Sequence, residues 1–404
     1  MAPRRTRTTT RTVDPRTGMA ELLAAKEMVV VCGSGGTGKT TVAAALGAQA
    51  AAGVGGRVLV LTVDPARRLA SALGLGPLGN TEVRVPAAAF SAVGVKPRGE
   101  LWVAMLDTKA GWDDLVRQHA PSPAVRDQVL ANPLYANITG RFVNSHDYIA
   151  MERLHELHAS GRFDLVIVDT PPSRNALDLL DAPARMREFF GGRLLRWLTV
   201  PYRSRLFTVA SKPFYQVADR VLGSRFLQDI AEFFALFQLM ERGFVARARE
   251  VEQLLVDDRT SFVVVSTLEA APAHEARYLA AELRRRSMPL GALVLNRTLP
   301  AAVRRPAATR AARRLVEIAA DGPAVDELAL VAGADPDDVA RVIGEVAERF
   351  HDIAVVAARE AERRRELTSV APLVVDAPTL RDDIHDLDGL LRLGDHLVGS
   401  GSLP

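Results

Sequence analysis

The sequence predicts an α/β protein: a doubly wound, mostly parallel sheet of about seven to eight strands with an inserted helical subdomain. Three observations carry that expectation. Short runs that are apolar on consecutive positions recur at 28–32, 58–63, 101–106, 164–169, 262–266, 292–296 and 373–375, as strands covered on both faces require. Helical stretches separate them, which is what parallel crossovers need. Two intervals, 108–160 and 178–258, are too long for plain crossovers, and the second holds nine of the fourteen phenylalanines.

In chain order, residues 1–18 form a Thr/Arg-rich leader. Arg4, Arg5, Arg7, Arg11 and Arg16 stand there against Asp14, an excess larger than the formal charge of +3 on the whole chain. The remaining body is therefore close to neutral and is not a nucleic-acid binder by charge. The leader reads as a disordered tail, with weak contact to acidic surfaces as the alternative. No stretch approaches the roughly 18 consecutive apolar residues of a membrane span, and twin Arg4-Arg5 lacks the apolar segment of an export signal. The expected compartment is the cytoplasm, with peripheral membrane association at most. Cys32 is the only cysteine, so neither an intrachain disulfide nor a zinc site of paired cysteines can form. It reads as a small buried side chain at a strand end, or as a reactive thiol beside a phosphate-binding helix.

After the first strand, Gly33-Ser34-Gly35-Gly36-Thr37-Gly38-Lys39-Thr40 fits G-x-x-x-x-G-K-[ST] and leads into an Ala-rich helix at 41–52. The residue types follow from the chemistry of a triphosphate. Glycines let the backbone wrap the phosphates with N–H groups inward, and the helix adds its positive end. Lys39 supplies a compact charge to the β- and γ-phosphates, and the Thr40 hydroxyl ligates Mg²⁺. The expected ligand is ATP with Mg²⁺, held by residues 33–41 through Thr41. Asp169 ends an apolar run ahead of Thr170-Pro171-Pro172, where a carboxylate can hold a magnesium-bound water or cap a turn. Asp64, at the end of the second strand before Pro65-Ala66, is a candidate for orienting the attacking water, or a turn-forming Asp-Pro.

The domain reading is a leader 1–18, a first core part 19–177, an inserted helical subdomain 178–258, a second core part 259–398 carrying a helical insertion 301–368, and a tail 399–404. In the first insertion Phe226, Ile230, Phe233, Phe237, Met240 and Phe244 repeat at helical spacing. Trp197, Phe189 and Phe190 either line a groove for apolar clients or pack the helical layer on the sheet. Residues 337–367 read as one long helix entered through Asp335-Pro336. His155 and His158 share a helix with Glu152 and Glu156, as a metal clasp without a third ligand or as a solvated face.

The order Gly33 to Thr41, Asp64-Pro65-Ala66, Asp169-Thr170-Pro171-Pro172 and Val294-Leu295-Asn296-Arg297 resembles the arsenite-pump and tail-anchored-protein-targeting ATPase family, over about 26–398. The resemblance implies that Asp64 is the switch I aspartate that activates water and that Asp169 is the switch II aspartate at the metal. It implies that Asn296 reads adenine, that Pro378 lies in the loop over the base, and that 269–277 is the helix opening with acidic and basic residues. It also implies a face-to-face dimer that closes around ATP and opens after hydrolysis, with the helical insertion receiving a client.

Three departures qualify the resemblance. The family's second loop lysine is replaced by Ser34, which is too short and neutral to reach a partner's nucleotide. Switch II continues Ser173-Arg174-Asn175 and switch I continues Arg67-Arg68, so these arginines are candidate replacements in cis or solvated surface groups. The cysteines that bind arsenite or an interfacial zinc are missing, which excludes both. The chain thus resembles the subunit of a pair that lacks the second lysine. Three functions remain. One is a dimeric ATP-hydrolysing enzyme, as homodimer or as heterodimer with a related ATPase subunit, handling a hydrophobic protein client or membrane-associated partner. The second is a regulatory ATP-binding subunit with little hydrolysis, and the third a partitioning ATPase, which the helical insertion argues against.

Overall fold

The computed structural model describes residues 18–63 and 241–399 and, between 70 and 191, all but 71–72, 77–78, 107–112, 115, 118–119, 133–134 and 136–144. Its centre is an eight-stranded sheet in the order β3-β4-β2-β5-β1-β6-β7-β8. The strands are β1 Met28–Gly33, β2 Gly56–Thr62, β3 Val83–Arg84, β4 Gly99–Met105, β5 Leu165–Asp169, β6 Thr260–Ser266, β7 Leu290–Thr298 and β8 Leu373–Pro378. All seven strands expected from the sequence are present and run parallel. The eighth, β3, is a two-residue edge strand antiparallel to β4. Both its residues are exposed, so it lacks the apolar run that made the others legible.

Side-chain alternation splits the core into two layers, because successive residues of a strand point to opposite faces. Val29, Val31, Val58, Val60, Ile167, Val263 and Val265 face helices α1 (Met19–Ala25) and α2 (Lys39–Gln49) together with the C-terminal helix. Their neighbours Met28, Val30, Leu59, Leu61, Val166, Val168 and Val264 face the opposite layer. That layer holds α3 (Ser145–Ala159), α4 (Ser173–Gly191), α5 (Glu241–Val256) and α6 (Ala270–Arg285). Each fully buried Val or Leu contributes about 1.5–3 kcal/mol.

Helix α2 is apolar nearly all round because it is covered on both sides. Gly47 lies so close to the sheet that a Cβ would fall 2.3 Å from Val60 Cγ2. On its other side Gln49 Nε2 donates to Leu391 O at 2.9 Å and to Asp395 Oδ1 at 2.7 Å. The helix starts at Lys39 rather than at 41, because Gly38, in the left-handed region at φ +89°, is already its N-cap. It ends in a π turn at Ala50–Val54.

Between β7 and β8 the chain forms α7 (Pro306–Ala319), α8 (Gly322–Ala332) and α9 (Pro336–Leu367), with α7 and α8 both packed on α9. Asp335 caps α9 by accepting from Asp337 N at 2.9 Å, with Pro336 as the first helical residue. The chain then returns through β8 to α10 (Leu387–Val398), which lies on α2. Of the 178–258 interval, α4 and α5 form its described borders. Trp197, Phe226, Ile230, Phe233, Phe237 and Met240 lie outside the described residues, as do the side chains of Phe189, Phe190 and Phe244. No helix among the described residues is long and apolar enough to cross a membrane.

Candidate functional site

β1 lies between β5 and β6, where the connections turn from one half of the sheet to the other. In such sheets ligands bind at the carboxyl ends of the strands at this point. The loop 33–38 leaves β1 there. A Cβ on Gly33 would sit 2.1 Å from Val265 O of the adjacent strand, and one on Gly38 would sit 2.4 Å from Asn296 Nδ2. Only glycine fits at either position, and at Gly38 only glycine adopts the backbone angle without strain. Gly36 also has positive φ, at +79°, but with open space around it. Gly35 approaches Pro172, whose Cβ would be 3.8 Å from an added methyl.

The loop is tied from within. Ser34 O accepts from Thr37 Oγ1 at 2.9 Å and from Lys39 Nζ at 2.8 Å, and Lys39 is only 8% exposed. Ser34 Oγ is buried with no hydrogen-bond partner among the described residues. Thr40 Oγ1 donates to Asp169 Oδ2 at 2.7 Å, and Thr62 Oγ1 donates to the same oxygen at 2.9 Å. Asp169 is fully buried at the end of β5, in register with Thr62 and Val31. Thr170 locks the following turn by donating from N (3.2 Å) and Oγ1 (2.9 Å) to Val31 O.

From the other side, Asn296 Nδ2 donates to Thr37 O at 2.8 Å, pinning the end of β7 to the loop. Arg297, directly after it, holds φ +57° and marks a shift in the β7–β8 register. That conformation costs a non-glycine residue about 1–2 kcal/mol and coincides with the Asn296 contact. Asn296 pairs in register with Ala377, so Pro378, the last residue of β8, closes the same corner. Thr41 is half-buried in the first turn of α2. Asp64, Arg67 and Arg68 lie outside the described residues, as does the side chain of Arg174.

The loop thus brings Gly33 to Thr41, Asp169 and Asn296 into one constellation. Thr62 is the partner that sequence reasoning missed, and aligning β2 with β5 at their polar ends would have found it. The donor set suits the expected ligands. Thr40 and Asp169 present hard oxygen atoms of the kind Mg²⁺ takes, and the unpartnered Ser34 hydroxyl is a donor that a phosphate oxygen would satisfy.

Two side-chain readings are resolved. Cys32 is fully buried with Sγ 3.8 Å from Val263 O, and burial pushes its thiol up to about 12, with Lys39 pulling the other way. It is a packing residue. The histidine pair neither faces solvent nor forms part of a metal cluster, since no group able to hold a metal occurs among the described residues. His158 Nε2 lies 2.9 Å from Glu27 Oε2, and His155 Nδ1 accepts from Arg247 at 3.0 Å. Burial first, and Arg247 second, hold His155 below the usual imidazole value of 6.5. Arg247 also bonds Glu152 at 3.0 Å and Glu250 at 3.1 Å, so His155 and Glu152 join α3 to α5 through Arg247, while His158 ties α3 to Glu27 ahead of β1.

A parallel sheet whose central strand runs through a glycine cradle into a lysine-threonine helix start, with a buried aspartate on the adjacent strand, defines a P-loop ATPase. The chain belongs to the anion-transporting ATPase family, whose sequence pattern matches residues 26–320. It is 31% identical over 274 residues to "Uncharacterized protein SCO2128" of Streptomyces coelicolor, covering 67% of this chain and 62% of that relative. It is 23% identical over 404 residues to "ATPase BagA" of Mycobacterium tuberculosis, covering 95% of this chain and 96% of that relative.

Proposed function

We propose that the protein binds ATP·Mg²⁺ on residues 33–41 and hydrolyses it as one half of a dimer. In this reading nucleotide-driven opening and closing handles a hydrophobic protein client or a membrane-associated partner. The carrying observation is the hydroxyl–carboxylate chain Thr40–Asp169–Thr62 beside a loop closed by its own lysine. Lys39 exchanges the Ser34 carbonyl for phosphate oxygens, a stronger, charge-assisted partner. Thr40 and Asp169 would hold Mg²⁺. The ion's role is to neutralise charge on the phosphates. Thr62 keeps the Asp169 carboxylate oriented. Asp64 positions the attacking water, while Asn296 and Pro378 flank the base.

The absent second lysine shapes the partner. Ser34 is buried and neutral, so this chain has no loop cation to offer a nucleotide across an interface. A cation supplied in trans can be worth about 10³-fold or more in rate. The reading is therefore a heterodimer with a related subunit that bears the lysine, in which this chain's nucleotide receives that charge. Client handling is supported by exposed apolar side chains on the C-terminal insertion, with Leu330 and Val331 of α8 84% and 82% exposed. Such exposure marks contact surfaces when it is clustered.

The test is phosphate release by this chain alone, by an Asp64→Asn variant, and by a mixture with a lysine-bearing relative. Turnover that depends on Asp64 and rises at least about tenfold per site on mixing is expected; equal rates per site would contradict the pairing. A second reading, a regulatory subunit that binds ATP with little hydrolysis, is favoured by the same Ser34. It gains if phosphate release stays at background in every mixture while ATP still binds.

A further inference from the structure

A cavity of about 330 Å³ lies between α7 and α9, among residues that the nucleotide reading leaves without a role. Its floor is apolar: Val303 comes from the short helix before α7, and Ala357 and Ala361 come from α9. The depression exists because α9 carries small residues where α7 crosses it. Arg304, Arg310 and Arg313 complete the lining, and none of the lining residues is acidic.

These guanidinium groups are not neutralised alike. Arg304 NH1 bonds Asp376 Oδ2 at 2.8 Å, yet its Nε is buried with no hydrogen-bond partner. Asp376 is shared with Arg364, whose Nε lies 3.0 Å from Oδ1, so one carboxylate serves two cations. Arg310 and Arg313 have no ion pair among the described residues, whereas Arg341 on the opposite end of α9 has two. Segment 301–319 holds five arginines and a single acid, Glu317. Two cations at a cavity rim without a counter-charge among the described residues, Arg310 and Arg313, favour an anion there, and planar guanidinium groups bind carboxylate or phosphate oxygens in pairs. A cavity near the lower end of ligand-site sizes with an apolar floor takes a small molecule whose anionic head sits on an apolar body.

We infer that the α7–α9 cavity binds a small amphipathic anion, a phosphate ester or carboxylate with a short aliphatic chain, its head on Arg310 and Arg313 and its chain over the alanines of α9. This site is separate from loop 33–41 and does not depend on the nucleotide reading.

The test is calorimetric titration of the full chain, without nucleotide, using decyl phosphate and decanoate below their micelle-forming concentrations. Saturable binding of at least one is expected, and the tighter of the two assigns the head as phosphate or carboxylate. Decanol and inorganic phosphate, each carrying one half of the ligand, are expected to bind at least about tenfold more weakly, the factor worth 1.4 kcal/mol. Arg310→Gln/Arg313→Gln should weaken binding by about tenfold or more. Ala358→Leu, an exposed helical position on the lining, should block it by filling the space without altering charge. Lys39→Ala should leave it unchanged; loss in that variant would assign the binding to loop 33–41 and overturn the inference. Absence of saturable binding by both amphiphiles, or equal affinity for decanol, would overturn it too.

Discussion

Replacing Gly38 with alanine places a methyl group where two constraints meet. Gly38 sits at φ +89°, a conformation that costs an L-residue about 1–2 kcal/mol. The added Cβ would also lie 2.4 Å from Asn296 Nδ2, which donates to Thr37 O at 2.8 Å. Asn296 must swing away, leaving a buried carbonyl without its donor, at about 1–3 kcal/mol. Gly38→Ala should therefore destabilise the protein without nucleotide by about 2–5 kcal/mol. Gly36→Ala, with positive φ but open space, should lose only the first part, about 1–2 kcal/mol. A double-mutant cycle separates the terms. In an Asn296→Ala background the obstacle is gone, so Gly38→Ala should cost about 1–3 kcal/mol less than in the wild type. Urea unfolding followed by circular dichroism, compared at constant slope, reads these differences. Additive effects of Gly38→Ala and Asn296→Ala would refute the coupling between the loop and the end of β7.

Cys32, buried with its thiol pushed up to about 12, should resist a thiol-specific disulfide reagent in the native protein at pH 8 and react at once in denaturant; rapid native labelling would contradict its burial. His155 is held below 6.5 in the folded state, so the unfolded chain binds more protons as the pH falls through 6.5 toward the folded value. Its contribution to stability is full above 6.5 and declines below it. Unfolding free energies at pH 7.5 and 5.5 should show a smaller acid loss in His155→Asn than in the wild type, and an unchanged loss would show that the group does not titrate as its surroundings require.

Features set by local chemistry were legible from the residues. Apolar runs such as 164–169 announced buried parallel strands, the glycines of 33–38 announced the cradle, and Asp335-Pro336 announced the start of α9. Features set by distant partners were not. β3 has only Val83 and Arg84, both exposed, and exists because β4 offers it a free edge. Thr62 reads as an ordinary strand residue until its register with Asp169, 107 positions away, makes it a hydrogen-bond donor at the site. Gln49 is an unremarked polar residue in an alanine helix until α10 meets it across 346 positions. Asp376 likewise gains meaning only when Arg304 and Arg364 converge on it from two helices. The spacing of His155 and His158 gives a shared helical face but not Arg247 or Glu27, which pack against it.

The most direct measurement is calorimetric titration of the full chain with ATP, with and without Mg²⁺, for wild type and for a Lys39→Ala variant of matching circular dichroism. Saturable uptake that requires Mg²⁺ and weakens about 10- to 150-fold in the variant is expected, since a hydrogen bond to a charged group is worth about 1.5–3 kcal/mol. No uptake by the wild type, or equal affinity in Lys39→Ala, would contradict the assignment of loop 33–41 as the nucleotide site.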